Sequence, residues 1–355
     1  MKVAVDCHMV AQESAGDAGN ARYVAALVAA LDETAADGDS VAALLAHPQA
    51  RAYIPSRVAS ELVSTANLAR LLFGAPRALS RLAAEVAVFT YVTPRRAPCP
   101  LVVAIHDAAF LLHPQWFGPR DRTLLSRMVP RSACRARVVL ALSEAAKADL
   151  VAALGIPEEK VEVVPPYPSA AFSPADGAAE RVSARFGLTR YCLVVGDVHP
   201  RKNLEALSDA VELLKDPSLE LAVVGRPGRR GREILSRTRG RALGPVEDTD
   251  LADLYRAAAV TCYPSLYEGF GLPVIEAMAC GSPVVASARG AIPEVAGDAA
   301  ILTEPTATGI AEGIRAALEP ETADRLRWGG IARAGDFTRK DTGIAAWKAI
   351  REAAG

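Results

Sequence analysis

The stretch AVTCYPSLYEGFGLPVIEAMACGSPVVAS, residues 259–287, decides how this chain folds. Its first five residues form an apolar run as long as one buried strand. Pro273 stands where a helix can begin, because the N–H that proline lacks has no partner in a first helical turn. Gly281 and Pro283 end that helix, and a second apolar run starts at Val284. The pattern predicts a strand–loop–helix–strand unit of a parallel sheet, in which ligands bind at the carboxyl ends of the strands.

The loop of this unit carries Glu268, Gly269, Phe270 and Gly271. Its glycines let the backbone approach a ligand, and the following helix N-terminus offers N–H groups and a positive dipole end. These features suit a phosphate or a row of hydroxyls. The carboxylates of Glu268 and, on the helix, Glu276 are better suited to accepting hydrogen bonds from sugar hydroxyls. The loop therefore predicts a ligand that contains both phosphate and polyol.

The same residues resemble a known signature. From Glu268 to Pro273, through Glu276 and on to Val285, the chain resembles the signature of family 4 retaining glycosyltransferases of the GT-B fold. Two glutamates with seven residues between them are a weak signal alone, but the glycines, Pro273 and the Gly-Ser-Pro-Val-Val exit make the match specific. The alternative is an ordinary strand–helix–strand unit with a surface loop. The resemblance implies an α/β protein with two doubly wound Rossmann-like domains facing a cleft, and a C-terminal helix that returns to the N-terminal domain.

Length and composition fit two domains. The chain has 355 residues, of which 51% are hydrophobic, so a sizeable core can be buried. Four prolines within residues 165–185 indicate an interdomain linker. We predict an acceptor-side domain at residues 1–170, a nucleotide-sugar-binding domain at residues 171–340 and the returning helix at residues 341–355.

No apolar run reaches the length of a membrane span, and the N-terminus lacks the pattern of a signal peptide, so we expect a cytoplasmic protein. The six cysteines lack Cys-x-x-Cys spacing, which favours buried thiols over a zinc site. The net charge of −1 gives no field that favours nucleic acid. Residues 51–140, however, hold thirteen arginines and four acidic residues. This segment predicts either a solvated surface or a face for an acidic acceptor or an anionic membrane, with the protein peripheral to the inner face of that membrane.

A loop with two adjacent cations, Arg201 and Lys202, follows an apolar run at residues 191–195. A planar guanidinium and a compact ammonium both suit a diphosphate. A solvated basic turn with no ligand would have the same sequence pattern. Many members of the family have an arginine directly after the glycine, where this chain has Asp197. One phosphate contact is therefore missing or is supplied by Arg201.

In the N-terminal domain, a loop with Gly16 and Gly19 precedes the first predicted helix. It resembles a phosphate-facing element of the family, but this chain has Ala21 where the family has its second glycine. His106 ends the apolar run at residues 101–105, a position that points into a ligand crevice. A lone histidine is more often structural, but this segment also resembles a family element.

The resemblance implies transfer of a sugar from a nucleoside diphosphate sugar, such as GDP-mannose or a UDP- or GDP-hexose, to a hydroxyl acceptor. That acceptor would be an envelope glycan, a lipid-linked sugar or a small metabolite. Anomeric configuration would be retained without a metal or other cofactor, and no carboxylate nucleophile is evident, which favours a same-face mechanism. The resemblance implies catalytic roles for His106 and Glu268. It implies that the donor diphosphate is bound by Arg201, Lys202 and Gly19, and the nucleotide by Glu276 and Val246. The residues it implies for binding the donor sugar are Glu268, Gly269, Phe270, Gly271 and Leu272.

Asp248-Thr249-Asp250 looks like the metal-binding Asp-x-Asp motif of the other glycosyltransferase fold. It stands directly before a helical pattern, where aspartate is a common N-cap, so we expect a cap and no metal site. Two other functions stay open: a nucleotide-sugar isomerase of the same fold, which would need further carboxylates and histidines, and a catalytically silent binding scaffold. The scaffold would be expected to have lost Glu268, Lys202 or Glu276, and all three are present.

Overall fold

The computed structural model describes residues 1–11, 18–228 and 230–355 of the chain. They form two compact units, an N-terminal unit of Met1–Pro166 with Thr338–Gly355, and a C-terminal unit of Tyr167–Phe337. Each unit contains one parallel sheet covered by helices, which confirms the predicted α/β class. The unit boundaries fall a few residues before the predicted limits at residues 170 and 340.

The N-terminal sheet has the strand order β3-β2-β1-β4-β5-β6-β7 and is parallel throughout. Its central strands are buried on both faces and consist mainly of valine, alanine and leucine, as is usual in parallel sheets. The strands are β1 (Lys2–Asp6), β2 (Ser40–Leu45), β3 (Ala59–Leu62), β4 (Val86–Thr90), β5 (Leu101–Ala104), β6 (Val138–Ala141) and β7 (Val161–Val163).

The helices of this unit connect the strands and cover the sheet. They are α1 (Ala18–Glu33), α2 (Asn67–Ala69), a π-helical turn (Arg70–Gly74) that continues into α3 (Ala75–Arg81), α4 (Ala109–Leu112), α5 (Pro119–Arg135) and α6 (Glu144–Leu154). Short 3₁₀ turns lie at Pro48–Tyr53, Pro114–Trp116 and Glu158–Lys160.

The C-terminal helix, Arg339–Ala354, packs on α1 of the N-terminal unit, as predicted. Trp347 Nε1 donates a hydrogen bond to the Leu31 carbonyl at 3.0 Å. A Cβ atom on Gly343 would lie only 2.5 Å from the Ala30 carbonyl oxygen, so glycine permits the two helices to approach this closely. The chain therefore returns to its first unit through a close helix pair.

The C-terminal sheet has the order β10-β9-β8-β11-β12-β13 and is also parallel. Its strands are β8 (Tyr191–Val195), β9 (Glu220–Val224), β10 (Arg241–Gly244), β11 (Val260–Tyr263), β12 (Val284–Ser287) and β13 (Ile301–Thr303). Its helices are α7 (Ala178–Phe186), α8 (Leu204–Leu214), α9 (Gly231–Arg237), α10 (Asp248–Ala257), α11 (Leu272–Ala279), α12 (Ile292–Ala296), α13 (Ala307–Ala317) and α14 (Pro320–Ala334), with 3₁₀ turns at Pro200–Lys202 and Gly297–Ala299.

The strand order of this sheet reverses between β8 and β11. Strand β8 pairs with β9 on one side and with β11 on the other, so the loops after β8 and β11 leave the sheet side by side. Such a switch point is the usual ligand position of an open parallel sheet. Strand β11, helix α11 and strand β12 confirm the strand–loop–helix–strand unit predicted from residues 259–287.

None of the helices in the described ranges is long and apolar enough to cross a membrane.

Candidate functional site

An ion pair connects the loop after β8 with the loop after β11. Lys202 Nζ donates hydrogen bonds to Glu268 Oε1 and to the Tyr263 hydroxyl, both at 2.6 Å. Arg201 places a guanidinium nitrogen 3.9 Å from Glu268 Oε2, and its carbonyl accepts a hydrogen bond from the Leu266 N–H at 2.7 Å. The residues predicted separately for diphosphate and for sugar thus form one cluster.

Burial and charge together set the protonation of this cluster. The side chains of Lys202 and Glu268 are only 13% and 8% exposed. Burial by itself would raise the pKa of Glu268, but the charges of Arg201 and Lys202 prevail and lower it to about 2. Burial lowers the pKa of Lys202, and the Glu268 carboxylate opposes that effect. Arg201 and Lys202 therefore both interact with the ionised carboxylate of Glu268.

Glycines hold the loop around Glu268 in place. Gly290, after β12, has φ +56°, and a Cβ atom there would lie 2.5 Å from the Glu268 carbonyl oxygen. That carbonyl accepts a hydrogen bond from the Ala291 N–H at 3.0 Å. Gly271 has φ +108°, and a Cβ atom there would clash with Ile292 at 2.5 Å. Packing inside the protein thus already requires Gly271, and Gly290 is a contributor that the sequence analysis missed.

Helix α11 starts at Leu272 with Pro273 in its first turn, as predicted. Gly271 precedes it and supplies no side-chain cap to its N–H groups. Phe270 is buried and packs edge to face against Phe337, with ring centroids 5.5 Å apart. The ring of Phe270 is therefore occupied by packing within the C-terminal unit.

Glu276 points inward from α11. It is 2% exposed, and its Oε2 accepts a hydrogen bond from the Tyr255 hydroxyl at 3.3 Å. Val246, after β10, is half-buried against the core of the same unit.

The prediction that an aspartate of Asp248-Thr249-Asp250 caps the following helix is wrong. Helix α10 already includes Asp248, its N-cap is Glu247, and that residue makes no side-chain capping bond. Asp250 instead pairs with Arg185 at 2.9 Å. Acidic residues in a first turn still favour the helix, because they interact with the positive end of its dipole. Among the described residues, no group of three or more His, Cys, Asp or Glu side chains could hold a metal ion.

In the N-terminal unit, Gly19 does not lie in a loop as predicted. Helix α1 begins at Ala18, so Gly19 is an exposed residue of its first turn. The helix starts earlier than the glycine suggested because one glycine in a helical turn costs only about 1 kcal/mol. Gly16 lies outside the described residues.

His106 lies just beyond β5, as predicted, in an aromatic setting. The ring of Tyr23 contacts it edge-on at 4.6 Å between centroids, and Tyr91 lies at 5.4 Å. Burial lowers the pKa of His106 to about 3, so its imidazole is neutral. Among the described residues, neither His106 Nε2 nor the Tyr23 hydroxyl has a hydrogen-bond partner. Buried polar atoms of this kind are rare and indicate a place for a ligand or an ordered water.

A further polar cluster at the end of β1 was missed. Asp6 is buried, accepts a hydrogen bond from Arg70 and has its Oδ2 3.1 Å from His8 Nδ1. Burial would raise the pKa of Asp6, but the charges of His8 and Arg70 lower it overall. Asp6 ends a buried strand, and that position was the only signal for it in the sequence. The cluster fastens the π-helical turn that contains Arg70 to the carboxyl edge of the sheet.

Solved structures share this two-unit architecture. Sucrose-phosphate synthase from Thermosynechococcus elongatus aligns with a TM-score of 0.80 and 20% identity over 99% of this chain and 98% of that one. The Anabaena protein HepE, solved with UDP and glucose, aligns with a TM-score of 0.73 and 18% identity over 98% of both chains. At these identities the likeness shows the fold, which is the GT-B arrangement of the glycosyltransferases.

Family models give the narrower assignment. Residues 18–167 match the model described as Glycosyltransferase Family 4, and residues 179–334 match the model described as Glycosyl transferases group 1. The chain belongs to family 4 of the GT-B glycosyltransferases.

Curated relatives are similar over part of their length. The chain is 33% identical over 218 residues to O-antigen chain mannosyltransferase B of Escherichia coli, covering 58% of this chain and 57% of that protein. It is 32% identical over 192 residues to the MMP alpha-(1->4)-mannosyltransferase of Mycolicibacterium hassiacum, covering 52% and 43%. It is 36% identical over 195 residues to the D-inositol 3-phosphate glycosyltransferase of Kribbella flavida, covering 49% and 45%. The matched part is thus less than two thirds of each of these relatives.

Proposed function

We propose that this protein transfers a sugar from a nucleoside diphosphate sugar to a hydroxyl acceptor, with retention of anomeric configuration and without a metal. The observation that carries the proposal is the cluster of Arg201, Lys202 and Glu268 at the switch point of the C-terminal sheet. Two adjacent cations at a switch point are suited to an anionic ligand. A carboxylate beside them is suited to hydroxyl groups.

The diphosphate is assigned to Arg201 and Lys202. In the absence of ligand, Glu268 neutralises part of their charge. When a diphosphate binds, its oxygens become further acceptors for Lys202, and Glu268 shares this ammonium with them while it accepts hydrogen bonds from the sugar hydroxyls. The same two cations then stabilise the leaving diphosphate as the glycosidic bond breaks, which is the role that a metal has in other transferases.

For the nucleotide and the sugar of the donor, we propose a chemical class. Glu276 is assigned to the ribose and the segment of Val246 to the base. The names of two of the relatives specify mannosyl transfer, and HepE was solved with UDP, which favours GDP-mannose or a UDP- or GDP-hexose as donor. An envelope glycan, a lipid-linked sugar or a small metabolite would supply the acceptor hydroxyl.

Retention is proposed to occur on one face of the sugar. A covalent intermediate needs a nucleophilic carboxylate, but the two nearby cations lower the pKa of Glu268 to about 2, so it is weakly basic. We therefore assign deprotonation of the acceptor to an oxygen of the leaving phosphate. His106, kept neutral by burial, is assigned to a hydrogen bond with the transferred sugar.

The test has two stages. Thermal unfolding is first measured with a panel of UDP-, GDP- and ADP-sugars, because a ligand that binds only the folded protein raises the midpoint. The stabilising donor is then incubated with candidate acceptors, and the anomeric configuration of the product is read by NMR. Stabilisation without transfer to any acceptor would favour the silent scaffold, and interconversion of donors without transfer would favour an isomerase. No stabilisation by any nucleotide sugar would overturn the proposal.

A further inference from the structure

The arginines of residues 51–140 fall into two groups. One group is satisfied within the protein: Arg57 bonds Asp32 at 2.6 Å, Arg70 bonds Asp6 and Arg81 bonds Glu61. Arg51 donates to the carbonyls of residues 55 and 56. The other group has no carboxylate within ion-pair distance among the described residues, although Arg131 donates to the Arg127 carbonyl and Arg135 to oxygens of residues 93 and 132. Its members are Arg77, Arg95, Arg96, Arg120, Arg122, Arg127, Arg131, Arg135 and Arg137.

Most of the second group lies on helix α5. Its positions 120, 127, 131 and 135 follow helical spacing, so their side chains line one stripe, and Leu124 lies on the same stripe. These residues are exposed, whereas Val129, Ser132 and Ala133 on the opposite side are buried. We call the exposed residues Arg120, Leu124, Arg127, Arg131 and Arg135 the basic stripe.

Arginine side chains in and beside the stripe lie close to one another. Burial lowers the pKa of Arg135, and the charges of Arg95 and Arg131 lower it further, so these three guanidinium groups are neighbours. Asp121 is the single carboxylate within α5, and it forms no ion pair among the described residues. Like charges held together on a surface favour an anionic partner.

Exposed apolar side chains lie on the neighbouring helical segment. Leu68 is 71% exposed and Phe73 is 54% exposed on the segment from α2 to α3, and Leu72 is also exposed. Arg77 lies over the Phe73 ring at 5.5 Å. Met128 of α5 packs against the hydrophobic cluster of α3, so the two segments cover the same face of the sheet.

We propose that this face of the N-terminal unit, formed by the basic stripe and by Leu68, Leu72, Phe73 and Arg77, docks on an anionic lipid bilayer. Arginine guanidinium groups bind phosphate head groups, and the exposed leucines and phenylalanine enter the boundary with the acyl chains. A soluble polyanion such as a glycan or a nucleic acid would engage the arginines but would leave these apolar side chains in water. The combination of both features therefore favours lipid.

The experiment measures sedimentation of the whole chain with vesicles. Vesicles of phosphatidylcholine alone are compared with vesicles of equal parts phosphatidylcholine and phosphatidylglycerol. We expect binding only to the anionic vesicles, and it should weaken as salt is added. The double variant Arg127→Gln/Arg131→Gln should bind about thirtyfold more weakly, since each arginine near an anionic surface contributes about fivefold. Phe73→Ser should weaken binding about tenfold, because its ring can no longer enter the bilayer.

The matched control is Arg232→Gln/Arg325→Gln. It removes the same charge from two exposed arginines of the C-terminal unit that form no ion pair among the described residues. This control should bind vesicles like the wild type. All of these residues are exposed, so the variants should unfold at the wild-type temperature.

Three results would overturn the inference: no preference of the wild type for anionic vesicles, equal loss in the control and stripe variants, or full binding by Phe73→Ser. The last result would leave a contact made by charge alone, which no longer favours lipid over a soluble polyanion. Because no donor is present in the assay, the outcome does not depend on the proposed glycosyl transfer.

Discussion

Replacing Glu268 with glutamine gives the sharpest test of the site, because it should tighten one kind of binding while abolishing transfer. Lys202 Nζ lies 2.6 Å from Glu268 Oε1. A phosphate oxygen bound to the other side of Nζ, through a charged hydrogen bond of about 2.8 Å, would lie about 5 Å from that carboxylate. The carboxylate and the phosphate therefore repel each other while they share one cation.

The size of the effect follows from this separation. Two unit charges about 5 Å apart interact by about 3 kcal/mol at an effective dielectric constant of about 20. Salt and the partial exposure of the cluster reduce this value, and we expect about 1.4–2 kcal/mol to remain, or ten- to thirtyfold in affinity. Glu268→Gln should thus bind UDP or GDP ten- to thirtyfold more tightly than the wild type.

The assay is titration calorimetry with the nucleoside diphosphate, followed by a transfer assay with the full donor. Transfer should be lost in Glu268→Gln, because the carboxylate that holds the sugar hydroxyls is gone. Lys202→Ala should show the opposite effect on binding, a ten- to hundredfold loss, since a charged hydrogen bond contributes about 1.5–3 kcal/mol.

The matched control is Glu220→Gln, which removes the same charge from an exposed residue at the amino end of β9, away from the switch point. It should change neither measurement. Unchanged or weaker binding of nucleoside diphosphate by Glu268→Gln would refute the proposed sharing of Lys202 between Glu268 and the phosphate.

Four further outcomes are expected. Tyr263→Phe removes one of two acceptors of Lys202, so nucleoside diphosphate should bind about fivefold more weakly in calorimetry while the fold stays intact; unchanged affinity would show that Tyr263 does not position the ammonium. His106→Ala should keep that affinity within a few-fold and lose most of the transfer rate, whereas Glu276→Ala should weaken the nucleotide itself; equal losses of affinity would contradict the assignment. Turnover should survive EDTA, and loss that manganese restores would refute metal independence. Because the pKa of Glu268 is lowered to about 2 from an ordinary 4.5, its contribution to stability is complete above pH 4.5 and is lost as pH falls toward 2; denaturant unfolding of Glu268→Gln should lack this part of the acid dependence.

Local sequence was sufficient for those features that depend on neighbouring residues. The apolar run before Pro264, the proline of the first turn and the glycine after the helix predicted β11, α11 and β12, and each formed where expected. Element boundaries were less certain. Helix α1 includes Gly19 and α10 includes Asp248, because a helix can extend past a residue whose cost is small compared with the packing it gains.

The tertiary structure decided which distant residues meet. Lys202 and Glu268 are 66 residues apart in the chain, and they touch because β8 and β11 are neighbours in the sheet. Asp6 and Arg70 are 64 residues apart and form a buried pair because the π-helical turn of Arg70 lies at the carboxyl end of β1. Strand order arises from packing of the whole sheet, which no local pattern contains, so the composition of the site could be predicted while its ion pairs could not. For the same reason, a count of thirteen arginines became a defined surface only when the structure showed which of them pair with carboxylates.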